Sequence, residues 1–369
     1  MHRRDFLRSA GIVTAGLAWP GSRPSFAETS PPDGWRTFEI VTRAEVLDPS
    51  GPTRVWVPAP LAADTPYQKT ISTSFKAEGG TAKLAADKGL DAIAMVAAEF
   101  PPGVRPVLTV TSRASTRGYA VDLASPGRPP KRDRAALGHF LRPTKLLPID
   151  GVVRDKARVI AGAARTDEAK ARAIYEWIVE NTFRDPKVRG CGRGDILSML
   201  ETGNLGGKCA DLNALYVGLA RAAGLPARDV YGIRTAKSEL GYKSLGPSTP
   251  TITKAQHCRA EVYLSGFGWV PVDPADVRKV ALEEPPGNRP LDDEMVKSAR
   301  ARLFGSWEMS WVAYNFGHDV PLPGAQSSPI EFLMYPQAET ARGRVDSLDP
   351  DGFKYEITAR EITNSTPTG

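Results

Sequence analysis

The chain has 369 residues, 41% of them hydrophobic, with 48 basic and 42 acidic side chains and three cysteines. That length allows two domains and a sizeable core. After the N-terminal segment no stretch is apolar enough to cross a bilayer, and no Lys/Arg run is interleaved with aromatics, so neither stable membrane insertion nor nucleic-acid binding is expected.

Residues 1–27 read MHRRDFLRSAGIVTAGLAWPGSRPSFA, with Arg3-Arg4 ahead of Asp5, Phe6 and Leu7, an apolar stretch from Ala10 to Trp19, and Ser25-Phe26-Ala27 at the end. This is the pattern of a twin-arginine signal peptide with a small-x-small cleavage site. A periplasmic location and the twin-arginine export machinery as a partner follow as expectations. Cleavage removes four arginines and one aspartate and leaves 44 basic and 41 acidic residues, a net charge of about +3 instead of +6. An odd number of cysteines in an exported chain leaves at least one thiol free.

From Trp35 to Leu123 short runs rich in Val, Ile, Thr and aromatics alternate with Gly, Pro, Asp and Ser clusters. The spacing predicts an antiparallel sandwich-like β domain over 28–123. The proline-rich, charged stretch ASPGRPPKRDR opens an expected linker over 124–149. Helices are predicted over 150–164, over 166–182 with Thr166 as cap, and over 195–201.

In GKCADLNALYVGLARAAGLPAR, residues 207–228, Leu212, Leu215, Tyr216, Leu219, Ala220 and Ala223 fall on one helical face. Gly224 and Pro226 end that helix. Cys209 therefore stands near its N-terminus, where unpaired N–H groups and the helix dipole favour a thiolate. Gly206 and Gly207 are expected to let a substrate backbone approach the sulfur.

Strands follow over 230–234, 257–264 and 269–272, the last two forming a hairpin. On the first of these two, His257, Arg259, Glu261 and Tyr263 share one face and Cys258, Ala260, Val262 and Leu264 the other, core-facing one. Pairing Leu264 with Gly268 across a three-residue turn sets Arg259 opposite Asp273 and His257 one diagonal step away, within reach of a His–Asp hydrogen bond. Cys209, His257 and Asp273 thus form a candidate Cys-His-Asp triad. Cys209 and His257 are expected to face a cleft, so that replacing either leaves stability nearly unchanged. A further helix is expected over 291–304. GSWEMSWVAYNFGHD reads better as an aromatic helix face than as a cleft wall, and IEFLMYP and FKYEITAREI read as C-terminal strands.

With AIYEWIVENTFRD upstream, then GGKCADLNALYVGLARAAGLPARDVYGIR and HCRAEVYLSGFGWVPVDPADV, the chain resembles the exported bacterial members of the transglutaminase-like superfamily over roughly Asp150 to Asp276. The resemblance implies an α+β architecture: a papain-like catalytic domain over 150–320, preceded by the β domain and followed by a β extension over 321–369. It implies Cys209 as nucleophile, His257 as base and Asp273 as its orienter, acting on a protein or peptide amide through a thioester. Hydrolysis is expected before transamidation, and neither metal nor other cofactor is required. Papain-type enzymes carry a glutamine shortly before the cysteine, where this chain has Gly203-Asn204-Leu205. The second oxyanion donor is therefore open among Gln256, Trp269, Tyr314 and Asn204.

Two other readings use the same residues. A zinc site from Cys191, Cys209, His257 and Cys258 is disfavoured because adjacent strand residues point to opposite faces, whereas a Cys191–Cys258 disulfide would leave Cys209 as the free thiol. The rival to an enzyme is a non-catalytic periplasmic binding or adaptor protein on the same fold.

Overall fold

The computed structural model describes residues 34–127 and 134–362. The expected signal peptide and part of the expected linker lie outside them. The chain begins with β1 (Arg36–Val46), β2 (Thr53–Pro58), β3 (Gln68–Glu78), β4 (Thr81–Ala86), β5 (Ala94–Phe100), β6 (Val107–Thr116) and β7 (Tyr119–Ala120). Helices α1 (Arg134–His139), α2 (Gly151–Ala161) and α3 (Asp167–Asn181) follow, then β8 (Phe183–Arg184), α4 (Ile196–Thr202), β9 (Gly206–Gly207) and α5 (Cys209–Ala222). Next come β10 (Ala227–Arg234), β11 (Gln256–Leu264), β12 (Gly268–Val272), α6 (Pro274–Glu283) and α7 (Glu294–Arg302). Strands β13 (Ser306–Trp307), β14 (Trp311–Asn315), β15 (Gln337–Thr340), β16 (Gly343–Val345) and β17 (Phe353–Ile362) close the chain.

Two sheets make the β half, in strand orders β17-β1-β6-β3 and β16-β15-β2-β5-β4. Val55, Val57, Val96, Ala98 and Phe100 from one meet Ala44, Val46, Leu108, Val110 and Phe353 from the other in a dry core. The C-terminal strands are built into these sheets: β17 pairs along the length of β1, and β15 pairs with β2. Periodicity identifies a strand but not its partner, so the sequence could not locate them there.

The same face of β1 serves two cores. Ala44 and Val46 face the second sheet, while Phe38 and Ile40 pack with Ile233, Val312 and Tyr314 of the neighbouring half. The alternation of an eleven-residue strand is long enough to cover both.

That other half is a sheet in the order β12-β11-β10-β14 with helices packed on it. α5 lies at its centre, and every residue from Cys209 to Arg221 is buried. Leu212, Leu215, Tyr216 and Leu219 share one cluster with Cys258, Ala260, Val262 and Leu264 of β11, the core face expected for that strand. Each such side chain contributes roughly 1.5–3 kcal/mol, which fixes the start of α5 against the start of β11. Gly224 ends the helix at φ +84°, and Leu225 N–H bonds back to Ala220 O at 2.9 Å.

Several local expectations change. The stretch GSWEMSWVAYNFGHD carries strands β13 and β14, not a helix, because Gln68 and neighbouring strands bind the backbone of β14. IEFLMYP forms only a single antiparallel bridge, Ile330 to Val320, and the strand begins at Gln337. α6 was unforeseen, although Asp273 followed by Pro274 is an N-cap with proline at the first helical position. α1 falls within the expected linker, and Phe140 beyond it packs edge-on to Trp269 at 5.1 Å.

Candidate active site

Asp211, three positions into α5, organises the loop that faces Cys209. One of its oxygens accepts from Arg193 N–H and Gly194 N–H at 2.9 Å each, and the other accepts from Lys208 N–H at 2.9 Å. The loop 189–194 is thereby tied to the helix start, and Cys191 O accepts from Ala210 N–H at 2.9 Å. Gly192 stands at φ +92°, and a Cβ there would come 1.8 Å from an Asp211 oxygen. Only glycine fits. The glycines before the cysteine have a packing role as well: a Cβ on Gly206 would strike the Phe183 ring and one on Gly207 would strike Asp211. They are required by these neighbours, whatever the approach of a substrate.

The hairpin register is Leu264 opposite Gly268 and Ala260 opposite Val272, so the next pair outward sets Arg259 against Asp273. His257 lies one step along, and its Nε2 is 2.7 Å from Asp273 Oδ2. This leaves Nδ1 for a partner on the cavity side. Asp273 is held from three further directions: it accepts from Asp276 N–H at 3.1 Å as the cap of α6, from Asn213 Nδ2 at 3.2 Å, and has Arg259 Nε at 3.6 Å. Asn213, one helical turn after Cys209, also donates to Cys258 O at 2.8 Å and so joins α5 to β11.

Asp276 was not singled out in the sequence. Both its oxygens bind Arg234, at 2.6 and 2.8 Å, and one lies 3.4 Å from His257 Nε2. Burial and Arg234 press the imidazole toward neutrality, but Asp276 and Asp273 outweigh them and hold His257 above the ordinary histidine range. Asp276 itself is held far below the usual carboxylate range by Arg234 and then His257, against burial. Asp273 moves the other way, raised by burial and by the like charge of Asp276. His257, Asp273 and Asp276 bring possible metal-ligand atoms within 4.8 Å of one another, yet Arg234 and Arg259 already stand against the two carboxylates.

His257 is 3% exposed and Asp273 fully buried. This revises the expectation that the histidine can be removed at little cost, because its loss takes from the buried Asp273 its shortest hydrogen bond, whereas Asp276 keeps Arg234.

All three cysteines are free, so no Cys191–Cys258 disulfide is present. Cys191 Sγ donates to Gln256 O at 3.3 Å. The Cys209 thiol is held well below the usual cysteine range by the neighbouring Cys191 and Cys258 thiols and by His257, which together overcome burial. Those two thiols are raised well above that range, Cys191 by its proximity to Cys209 and by burial, Cys258 by burial first.

Cys209, His257, Cys191 and Gln256 open on a cavity of about 730 Å³. The rest of its lining includes the 244–255 segment between β10 and β11 and residues around Leu348 to Tyr355 at the start of β17. Of the four candidate oxyanion donors only Gln256 lines this cavity. Its Nε2 is buried without a hydrogen-bond partner. Trp269 and Tyr314 belong to separate apolar clusters, and Asn204 turns back to accept from Gly206 N–H.

A family model described as the transglutaminase-like superfamily matches residues 154–274. An uncharacterized protein of Haemophilus influenzae is 35% identical over 342 residues, 88% of this chain and 91% of that protein. Among solved structures, a candidate cysteine protease from Cytophaga hutchinsonii is similar over 89% of this chain and 99% of its own, at 14% identity and a TM-score of 0.50. The periplasmic domain of TgpA from Pseudomonas aeruginosa matches over 64% of this chain and 90% of its own, at 16% identity and a TM-score of 0.33.

Proposed function

Because this chain belongs to the transglutaminase-like superfamily, we propose that it is a cysteine-dependent enzyme that transfers the acyl group of an amide through a thioester on Cys209. The observation that carries the reading is Cys209 at the start of α5 on an open cavity it shares with a histidine bonded to Asp273 at 2.7 Å, the thiol being held below its ordinary range. In this mechanism the sulfur attacks the carbonyl carbon and the negative charge passes to the carbonyl oxygen. The Cys209 backbone N–H and Gln256 Nε2 stabilise that oxyanion. The C–N bond then breaks as the His257 imidazolium gives its proton to the leaving amine. Water attacks the thioester carbonyl, His257 takes its proton, and the C–S bond breaks to release the acid and restore the thiolate. Asp273 keeps the imidazole in the tautomer and orientation that both proton transfers need.

Water is the favoured acceptor. Among the described residues no aspartate or glutamate lines the cavity while seven lysines and arginines do, so a protonated lysine acceptor is repelled. Incubating residues 28–369 with a peptide library and reading products by mass spectrometry tests the proposal. New carboxyl termini that disappear in Cys209→Ala are expected, whereas amine-linked adducts would reassign the reaction to transamidation. An inert wild-type protein whose Cys209 resists thiol-reactive probes would favour the binding-protein reading. The Arg3-Arg4 segment supports export by the twin-arginine route, which puts the reaction in the periplasm.

A further inference from the structure

The basic residues around the cavity fall into two groups. Arg234 is held by Asp276, Arg184 and Lys279 share Glu283, and Arg189 pairs with Asp346 at 2.6 Å. Lys208, Lys254 and Lys354 line the same cavity. None of these three ammonium groups has a carboxylate partner among the described residues, and they come from three separate parts of the chain: the residue before Cys209, the segment before β11, and β17. The carboxylates that touch the first group stand behind the lining, which itself carries no acidic side chain.

Single exposed lysines are ordinary solvated groups. Here they converge on one concave surface with no intervening acid, in a chain whose basic and acidic residues otherwise nearly balance. A cleft lined by one sign of charge focuses its field on whatever enters and raises the local concentration and arrival rate of opposite charge by roughly 10–10³-fold.

We propose that the substrate is an anionic peptide, one carrying carboxylate groups within a few residues of the amide that Cys209 attacks. The inference rests on the acyl-transfer reading for the reaction, but the charge preference of the cavity can be measured apart from it. Lys208 adjoins the nucleophile, Lys254 precedes His257 by three residues, and Lys354 stands at the start of β17. A carboxylate near the amide therefore finds an unpaired ammonium group on the lining. A basic peptide finds none of its counter-charge on the lining.

Two measurements test this. In the first, Cys209 is alkylated with iodoacetate, an anion, and with iodoacetamide, its neutral analogue, and the modified residue is located by peptide mapping. The iodoacetate-to-iodoacetamide rate ratio at Cys209 is expected to exceed that of free cysteine by about tenfold or more at low salt and to shrink toward it at ~0.15 M ionic strength and above. It should collapse in the Lys208→Gln/Lys254→Gln/Lys354→Gln protein and persist in Lys83→Gln, which removes an exposed charge outside the cavity. A ratio equal to that of free cysteine at every salt concentration overturns the inference, and it does so even where no peptide is cleaved.

In the second, cleaved peptides from the library are expected to be enriched in Asp and Glu near the new terminus. Replacing those acids with Asn and Gln should lower kcat/KM by about tenfold or more, and the triple lysine variant should lose more on the acidic peptide than on its amide counterpart. Cleavage with no acidic preference leaves the enzyme reading standing and removes this inference. No cleavage with a high alkylation ratio does the opposite: it removes the reaction and retains an anion-selective cavity.

Discussion

Asp276 Oδ2 lies 3.4 Å from His257 Nε2 while the same carboxylate grips Arg234 with both oxygens. The histidine thus has two carboxylates on one ring nitrogen: Asp273 at hydrogen-bond distance and Asp276 behind it. Arg234 and Arg259 balance the pair, and all five side chains are buried, with only His257 and Arg234 reaching the cavity. In so dry a setting each charge depends on its neighbours, and single replacements act on both stability and reactivity.

Replacing His257 with Ala is expected to abolish turnover and also to lower stability by about 3–5 kcal/mol, the usual cost of removing one partner of a buried ion pair. Cys209→Ala should abolish turnover with a far smaller loss. Denaturant unfolding of the two proteins side by side checks this; equal midpoints would show that the histidine is not structurally engaged.

The pH profile of Cys209 alkylation follows from opposite shifts in its two partners. The thiol is held below its ordinary value of 9.0 and the imidazole above 6.5. The ion pair therefore exists between the two folded values, so reactivity rises as the thiol ionises and the protonated-histidine fraction falls on the alkaline side. Asp276→Asn removes a charge that raises His257. Its alkaline limb should move to lower pH, and an unmoved alkaline limb would detach Asp276 from the site.

Acid stability carries the same residue's signature. Asp276 is depressed in the folded state, so it contributes stability above the unfolded carboxylate value of about 4. That contribution is lost as pH falls through the lower folded value. Thermal unfolding of wild type and Asp276→Asn should converge toward strongly acid pH and diverge at neutral pH, and parallel curves across this range would count against it.

Gln256→Ala is expected to lower kcat by roughly 10²–10³-fold, the effect of one oxyanion donor. KM and the iodoacetamide reactivity of Cys209 should change little, because the amide touches the developing oxyanion and not the thiolate. A matching loss in alkylation rate would mean that the Gln256 side chain acts on the thiolate and not on the oxyanion, since the backbone carbonyl that accepts from Cys191 is unchanged in this variant.

Gly192→Ala should disrupt the loop before α5, since a Cβ would overlap the Asp211 carboxylate at a φ that costs about 1–3 kcal/mol for other residues. Loss of the Arg193 and Gly194 contacts should expose their amides to rapid hydrogen exchange and raise the Cys209 thiol. Unchanged exchange at both amides is the result that would exclude this.

The sequence by itself determined what depends on neighbours along the chain. Helical spacing from Leu212 to Ala223 and the stop at Gly224 placed Cys209 at a helix start. Strand parity with a three-residue turn set the register of β11 and β12, because side chains alternate strictly and a one-residue slip reverses every face. Those two local rules were enough to align His257 with Asp273. Even the missed helix α6 was written locally, in Asp273-Pro274.

What only the tertiary structure decided depends on partners distant in sequence. Nothing near Arg234 or Asp276 in the chain says that they meet 42 positions apart, that Cys191, Cys209 and Cys258 share one buried cluster, or that β17 pairs with β1 across the length of the protein. A strand's pattern states that one face is to be buried without naming what buries it. The cavity shares this origin: Lys208, Lys254 and Lys354 line one surface only because β17, held by β1, brings the C-terminal residues to the front of α5.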